Sequence, residues 1–164
     1  MNPIRQTSSG CGRLIIVCGL PGSGKTTHAK ELEKRLNGIR FSADEWMHAL
    51  SLDLYDAPQR DKVERLQWRF AQCLLPFGLT IIIEWGTWAR SERDRLRLVA
   101  RELGAAVELH FLSAPIDVLL ARVQHRGMET PQVTRENLLQ WHENFESPSE
   151  EEQALYDRNV NVSF

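Results

Sequence analysis

The chain has 164 residues, of which 42% are hydrophobic and 26% charged, with a formal net charge of −2. That length supports one domain with a substantial core, and near-neutrality without a dense Lys/Arg run argues against a dedicated polynucleotide surface. Cys11, Cys18 and Cys73 show no C-x-x-C or metal-ligand spacing, which fits a reducing, cytoplasmic setting better than a disulfide framework.

Residues 1–12 lack a long apolar stretch and read as a flexible tail without a signal peptide, leaving 13–164 as a single domain. Leu14 to Cys18 predicts a buried strand; the apolar run is too short to cross a bilayer, and no membrane partner is expected. The strand runs directly into Gly19 to Thr27, a complete G-x-x-x-x-G-K-[ST] phosphate-binding loop, and a helical pattern with Ala29, Leu32 and Leu36 follows. By composition alone such a match arises in roughly one sequence in 200 of this length, and the flanking strand and helix make chance rarer still. Glycines at 19, 22 and 24 allow backbone shapes closed to side chains with a Cβ. The N–H groups of Gly22, Ser23, Gly24, Lys25 and Thr26 can then converge on phosphate oxygens at a helix N-terminus. Lys25 supplies a point charge for the β- and γ-phosphates, and the Thr26 hydroxyl is a hard oxygen suited to Mg²⁺. Thr27 either touches phosphate or only caps and packs.

Asn37-Gly38 stops the first helix, and Ile39 to Phe41 reads as a short second strand. Helices are expected over 43–52 and 58–75, the second with Val63, Leu66, Phe70 and Leu74 as its apolar stripe. Pro76 to Gly78 breaks it, and the apolar run Leu79 to Glu84 predicts a central parallel strand. Ser91 and Asp94 resemble a capping box before a helix bearing Leu96, Val99 and Leu103, which Gly104 ends. A fourth strand over 107–112, a helix after Pro115 with Ile116, Leu119, Leu120 and Val123, a helix from Thr134, and an edge strand over 159–164 complete the pattern. Strands alternating with helices predict an α/β fold, a parallel sheet with helices on both faces.

In such a sheet ligands lie beyond the carboxyl ends of the strands. That rule selects Asp44 after the second strand and Glu84 at the end of the third. Asp44 is the candidate general base toward an acceptor hydroxyl, with helix N-capping as its structural alternative. Glu45 reads first as a helix-dipole partner. Glu84 is a candidate Mg²⁺ or substrate ligand. Arg122 and Arg126 share one helix face and precede a short lid at 127–133; arginine brought over the phosphates would neutralise charge developing in phosphoryl transfer. Arg90, Arg93, Arg95 and Arg97 read as decoration of an exposed helix, with Arg93 a secondary candidate for substrate contact. Trp46, Trp85 and Trp88 follow the acidic tips and are candidates to stack on an acceptor, whereas Trp68 and Trp141 read as packing residues. No N-K-x-D base-reading motif is present, which removes GTPase switches.

The phosphate loop, Ser42-Ala43-Asp44-Glu45, Ile82-Ile83-Glu84-Trp85-Gly86 and Leu120 to Gly127, in that order, resemble small P-loop kinases of the AAA_33 group. The order is similar to that in the kinase domain of phage polynucleotide kinase and, more distantly, to zeta-toxin kinases and small-molecule phosphotransferases. The resemblance implies a three-layer fold around a five-stranded parallel sheet of order 2-3-1-4-5. It implies that Lys25 and Thr26 serve ATP and Mg²⁺, that Asp44 activates the acceptor hydroxyl, and that Arg122 and Arg126 sit near adenine and phosphate. The segment 45–76 would then carry the acceptor-side helices. Two departures stand out: Met47 occupies the place of a substrate-phosphate arginine, and Glu84-Trp85-Gly86-Thr87 replaces a polar tip. Both favour a sugar, nucleoside or antibiotic hydroxyl over a DNA or RNA end. A polynucleotide 5′-hydroxyl kinase is the second reading and an ATP-binding module without phosphotransfer the third, in a monomer or homodimer.

Overall fold

The apolar runs form β1 (Arg13–Cys18), β2 (Ile39–Phe41), β3 (Thr80–Ile83), β4 (Ala106–Ser113) and β5 (Arg158–Ser163) of one sheet, ordered β2-β3-β1-β4-β5. Every neighbouring pair is parallel, with Leu14 opposite both Ile81 and Val107. The computed structural model describes residues 11–127 and 132–163. Residues 1–10 of the expected tail and 128–131 of the expected lid lie outside that range. Gly12 belongs to the folded body, since its carbonyl accepts from the Ala106 N–H at 2.8 Å and a Cβ there would meet the Leu75 carbonyl.

Leu14 to Cys18 are completely buried because both sheet faces are covered. Leu14, Ile16 and Cys18 join a core with Val63 and Ala71 of α3 (Ala57–Leu74) and with Leu96 and Ala100 of α4 (Arg90–Glu102). Ile15 and Val17 face the other way, onto Ala29 and Leu32 of α1 (Lys25–Leu36). Each such aliphatic burial contributes roughly 1.5–3 kcal/mol. Burial also pushes the Cys18 thiol up to about 12, which makes it an inert core residue. A third cluster joins Leu119 and Val123 of α5 (Ile116–Arg126) to Leu138 of α6 (Arg135–Asn144) and to Phe145. Among the described residues no helix is long and apolar enough to cross a membrane.

Three local expectations change. The α2 helix spans Ala43–Ala49, ending three residues before the predicted boundary. The buried face of α3 is Val63, Gln67 and Ala71, while Leu66 and Phe70 are exposed. Gln67 tolerates burial because its amide donates to the Ser42 carbonyl (3.0 Å) and accepts from the Trp85 indole N–H (2.6 Å). Helix α4 starts at Arg90, where the Glu92 carboxylate accepts from the Ala89 N–H at 3.1 Å, so Ser91 is not its cap.

On the α1 face of β4 lies a polar strip. His110 Nε2 meets a Glu108 carboxylate oxygen at 3.1 Å, and His110 Nδ1 meets His28 Nε2 of α1 at 2.8 Å. Because a carboxylate only accepts, His110 carries its proton on Nε2 and accepts from His28 through Nδ1. Burial lowers the pKa of both imidazoles below the ordinary histidine value. The unfolded chain therefore binds protons near pH 6.5 that the folded chain resists, and stability falls as pH drops through that value. His110→Gln is expected to reduce the loss of urea midpoint between about pH 7.5 and about pH 5.5. Equal losses in the two proteins would exclude this strip as the source.

Candidate active site

The phosphate loop joins the tip of β1 to α1 through strained turns that glycine alone takes easily. Gly22 has φ +82°, and a Cβ there would lie 2.7 Å from the Leu119 carbonyl oxygen. Gly24 (φ 94°) sits at the N-cap position of α1 in the left-handed region. Lys25 is half-buried, and its ammonium donates to the Leu20 carbonyl at 3.0 Å. Ser23 is fully buried, with a hydroxyl that has no hydrogen-bond partner among the described residues, whereas Thr26 and Thr27 are exposed at the first turn of α1.

Burial pushes the Lys25 ammonium down to about 8; Asp44 and Glu84 pull it back up, and Arg126 opposes them. Three segments far from the loop in sequence thus act on one charge. Anionic phosphate favours protonated Lys25, so its pKa in a nucleotide complex lies above 8. ATP affinity is then constant below about pH 8 and falls as pH rises above it, a trend titration calorimetry would read and Lys25→Met would flatten.

Ser42 is the N-cap of α2, accepting from the Glu45 N–H at 3.4 Å. Asp44 lies inside the first turn with a side chain 64% exposed, so the capping alternative is excluded. Its carboxylate pairs with Arg60 from α3, and Arg60 also reaches the Leu54 carbonyl at 3.3 Å. Glu84 is buried, with one oxygen on Arg40 and the other without a partner among the described residues. Arg40, on the edge strand β2, further contacts Glu33 at 3.1 Å and Glu45 at 2.6 Å, while Lys30 meets Glu45 at 3.1 Å. Glu45 is therefore tied to basic side chains in addition to its place at a helix start. Arg122 approaches the Gly22 carbonyl at 3.4 Å, and Arg126 lies one turn later at the end of α5. Arg135 pairs with Asp117 at 3.2 Å.

Sequence reasoning missed Arg40 and Arg60, because the carboxylates that mark them lie on other elements. It also misjudged Arg93. That side chain is completely buried, forks onto both oxygens of Glu152 (2.7 and 2.9 Å), and donates to the carbonyls of Thr87 (2.9 Å), Trp88 (3.3 Å) and Glu146 (2.7 Å). Glu152 comes from the short helix α7 (Glu150–Gln153). Arg97 is buried too, with Asp94 at 2.9 Å and its guanidinium 5.7 Å from the Tyr156 ring centroid. Arg93 thereby anchors the turn after Glu84, in which Thr87 holds φ +40°, a strained value for a β-branched residue.

The tryptophans near the tips are engaged in packing. Trp85 is buried against Gln67, Trp88 meets Trp141 and Phe145 edge-on, and Trp46 packs on Phe41 and Phe70.

Three comparisons accord with this geometry. The chain is 26% identical over 147 residues to the L-seryl-tRNA(Sec) kinase of Methanococcus maripaludis, over 82% of this chain. The chain spans about half (53%) of the length of that curated relative. Among solved structures, the fold matches the APS kinase CysC of Mycobacterium tuberculosis in complex with AMPPNP and APS (TM-score 0.65, 19% identity, 93% of this chain and 89% of that one). It also matches a chain of the Pnkp1/Rnl/Hen1 RNA repair complex (TM-score 0.69, 20% identity, 86% and 46%). At these identities the structural likeness is one of fold. The family signature of AAA_33, described as an AAA domain, covers residues 14–148, and with the loop, strand order and convergent charges in place the chain belongs to the AAA_33 family of kinase-like P-loop proteins.

Proposed function

We propose that the protein is an ATP-dependent kinase that transfers the γ-phosphate to a hydroxyl of a small-molecule acceptor, with Asp44 as general base. The observation that carries this reading is the convergence of Asp44, Glu84 and Arg126 on the loop lysine.

Mg²⁺ fits the donor set: the Thr26 hydroxyl stands exposed at the start of α1, and one Glu84 oxygen is buried without a protein partner among the described residues. Thr26 and Glu84 would hold the ion, which would supply charge neutralisation at the β- and γ-phosphates. The backbone N–H groups of Gly22, Gly24, Lys25 and Thr26 bind phosphate oxygens, with Thr27 at the margin; that of Ser23 donates to the Leu20 carbonyl at 3.1 Å and must leave it to join them. Lys25 moves its ammonium from the Leu20 carbonyl to the β/γ oxygens. The acceptor hydroxyl takes the place of Arg60 at the Asp44 carboxylate and gives up its proton there as its oxygen attacks the γ-phosphorus. The bond from phosphorus to the β–γ bridging oxygen breaks, ADP leaves, and Arg122 and Arg126 offset the charge that develops.

A second reading, phosphorylation of an RNA-linked hydroxyl, draws support from the names of the seryl-tRNA kinase relative and the RNA repair complex. Against it, Met47 is fully buried and presents nothing to a substrate phosphate. ATP consumption measured against sugars, nucleosides, aminoglycosides and a 5′-hydroxyl oligonucleotide separates the two. Failure of every acceptor, with ATP still bound tightly, would leave a nucleotide-binding module.

A further inference from the structure

Helices α3 and α4 part to leave a cleft of about 250 Å³, smaller than the roughly 300–1,000 Å³ of a site enclosing a whole ligand. Its volume suits one end of a molecule. The α3 wall carries Glu64, Arg65, Trp68 and Arg69; Arg95 projects from α4, and Trp85 lines it from beyond the tip of β3.

The charges in this cleft are unbalanced. Arg65 is matched by Asp61 one turn away. Arg69 and Arg95, on opposite walls, have no hydrogen bond or ion pair among the described residues. Burial pushes the Glu64 carboxyl up to about 7, with Arg60 opposing and Glu92 and Asp61 adding to the rise. At neutral pH much of its negative charge is therefore absent, and the cleft is net positive. The Trp85 indole N–H is already spent on Gln67, so Trp85 contributes only ring surface; Trp68 is half-buried beside it. Arginines over aromatic surface recognise flat anions, by charge-assisted hydrogen bonds at the head and stacking behind it.

Side-chain contacts link the cleft to the candidate active site. Glu64 lies 3.7 Å from the guanidinium of Arg60, and Arg60 holds Asp44.

We propose that the α3–α4 cleft holds the distal end of the acceptor, and that this end is an organic anion, a phosphate or carboxylate carried on a ring that lies against Trp68. The role as acceptor site rests on the kinase reading, whereas binding in the cleft does not. The small-molecule acceptor is thereby narrowed to an anionic one, with its negative charge away from the reacting hydroxyl.

The test titrates the protein calorimetrically with 4-nitrophenyl phosphate, with the phosphate loop saturated by Mg·AMPPNP. Its uncharged counterpart is 4-nitrophenyl β-glucoside. Saturable binding of the phosphate is expected, weakened roughly 10- to 100-fold in the double variant Arg69→Ala/Arg95→Ala and weaker by a similar factor for the glucoside. Both arginines are exposed, so the double variant should keep parental AMPPNP affinity, which serves as the check on folding. The proposal is overturned by absent binding, by displacement of the probe with AMPPNP, by equal affinity for the glucoside, or by an unchanged affinity in the double variant. Intact probe binding in a protein that phosphorylates no acceptor would remove the kinase reading and leave the cleft standing.

Discussion

Asp44→Asn is expected to bind ATP with near-parental affinity and to transfer its γ-phosphate roughly 10²- to 10⁴-fold more slowly. The substitution keeps the shape of the side chain and removes its ability to take a proton. The N-cap of α2 is Ser42, so helix capping survives the change. Arg60 loses a charged partner but retains the Leu54 carbonyl and Glu64. One secondary consequence follows from the sign of the Lys25 shift. Asp44 raises the lysine pKa, so its neutralisation moves the alkaline loss of ATP affinity to lower pH. Single-turnover transfer and calorimetric ATP binding, measured on the same preparation, decide the matter. Transfer at a near-parental rate would eliminate Asp44 as the base.

Arg93→Ala should cost about 3–5 kcal/mol of folding stability. Removal of the guanidinium leaves Glu152, only 1% exposed, as a buried carboxylate without its partner and strips donors from the carbonyls of Thr87, Trp88 and Glu146. The damage is not intrinsic to losing an ion pair, because desolvation offsets much of what such a pair contributes. Arg93→Met combined with Glu152→Leu should therefore recover the part of the loss that comes from the unpaired carboxylate, while the carbonyls of Thr87, Trp88 and Glu146 stay without this donor. Urea denaturation of Arg93→Met, Glu152→Leu and the double variant closes a thermodynamic cycle that reads the coupling directly. A loss below about 1 kcal/mol for Arg93→Ala would show that the fork is dispensable. The same change frees the turn holding Thr87 at φ +40°, which directly follows Glu84-Trp85-Gly86, so altered nucleotide or acceptor handling should accompany the loss of stability.

Much of this architecture was legible from local pattern. A continuous apolar run such as Leu14 to Cys18 has one economical fate, a strand covered on both faces, and the glycine loop after it admits few backbone paths. Asp44 and Glu84 could be selected because strand ends in a parallel sheet share one edge. The buried face of α3 was not legible. Val63, Leu66, Phe70 and Leu74 suggest one stripe, yet Gln67 takes the buried position because two partners from other elements satisfy its amide. Arg93 reads as a surface residue for the same reason: its partner Glu152 stands 59 positions away, and nothing local announces the fork. Tryptophan content pointed to the acceptor side; Trp46 and Trp88 are engaged in packing, Trp85 packs on Gln67 and also lines the cleft, and Trp68, which reads as a packing residue, lines it too.

By itself the sequence determined that this chain carries a triphosphate loop between a buried strand and a helix, with acidic residues at the neighbouring strand ends. Those features depend on backbone conformation and hydrophobic period, which are written within a few residues. Tertiary structure alone decided which charges meet: Arg60 with Asp44, Arg40 with Glu84, Arg93 with Glu152, and two arginines across a cleft with no partner among the described residues. Ion pairing depends on distances of a few ångströms between side chains remote in sequence, and only the packing of helices on the sheet sets those distances.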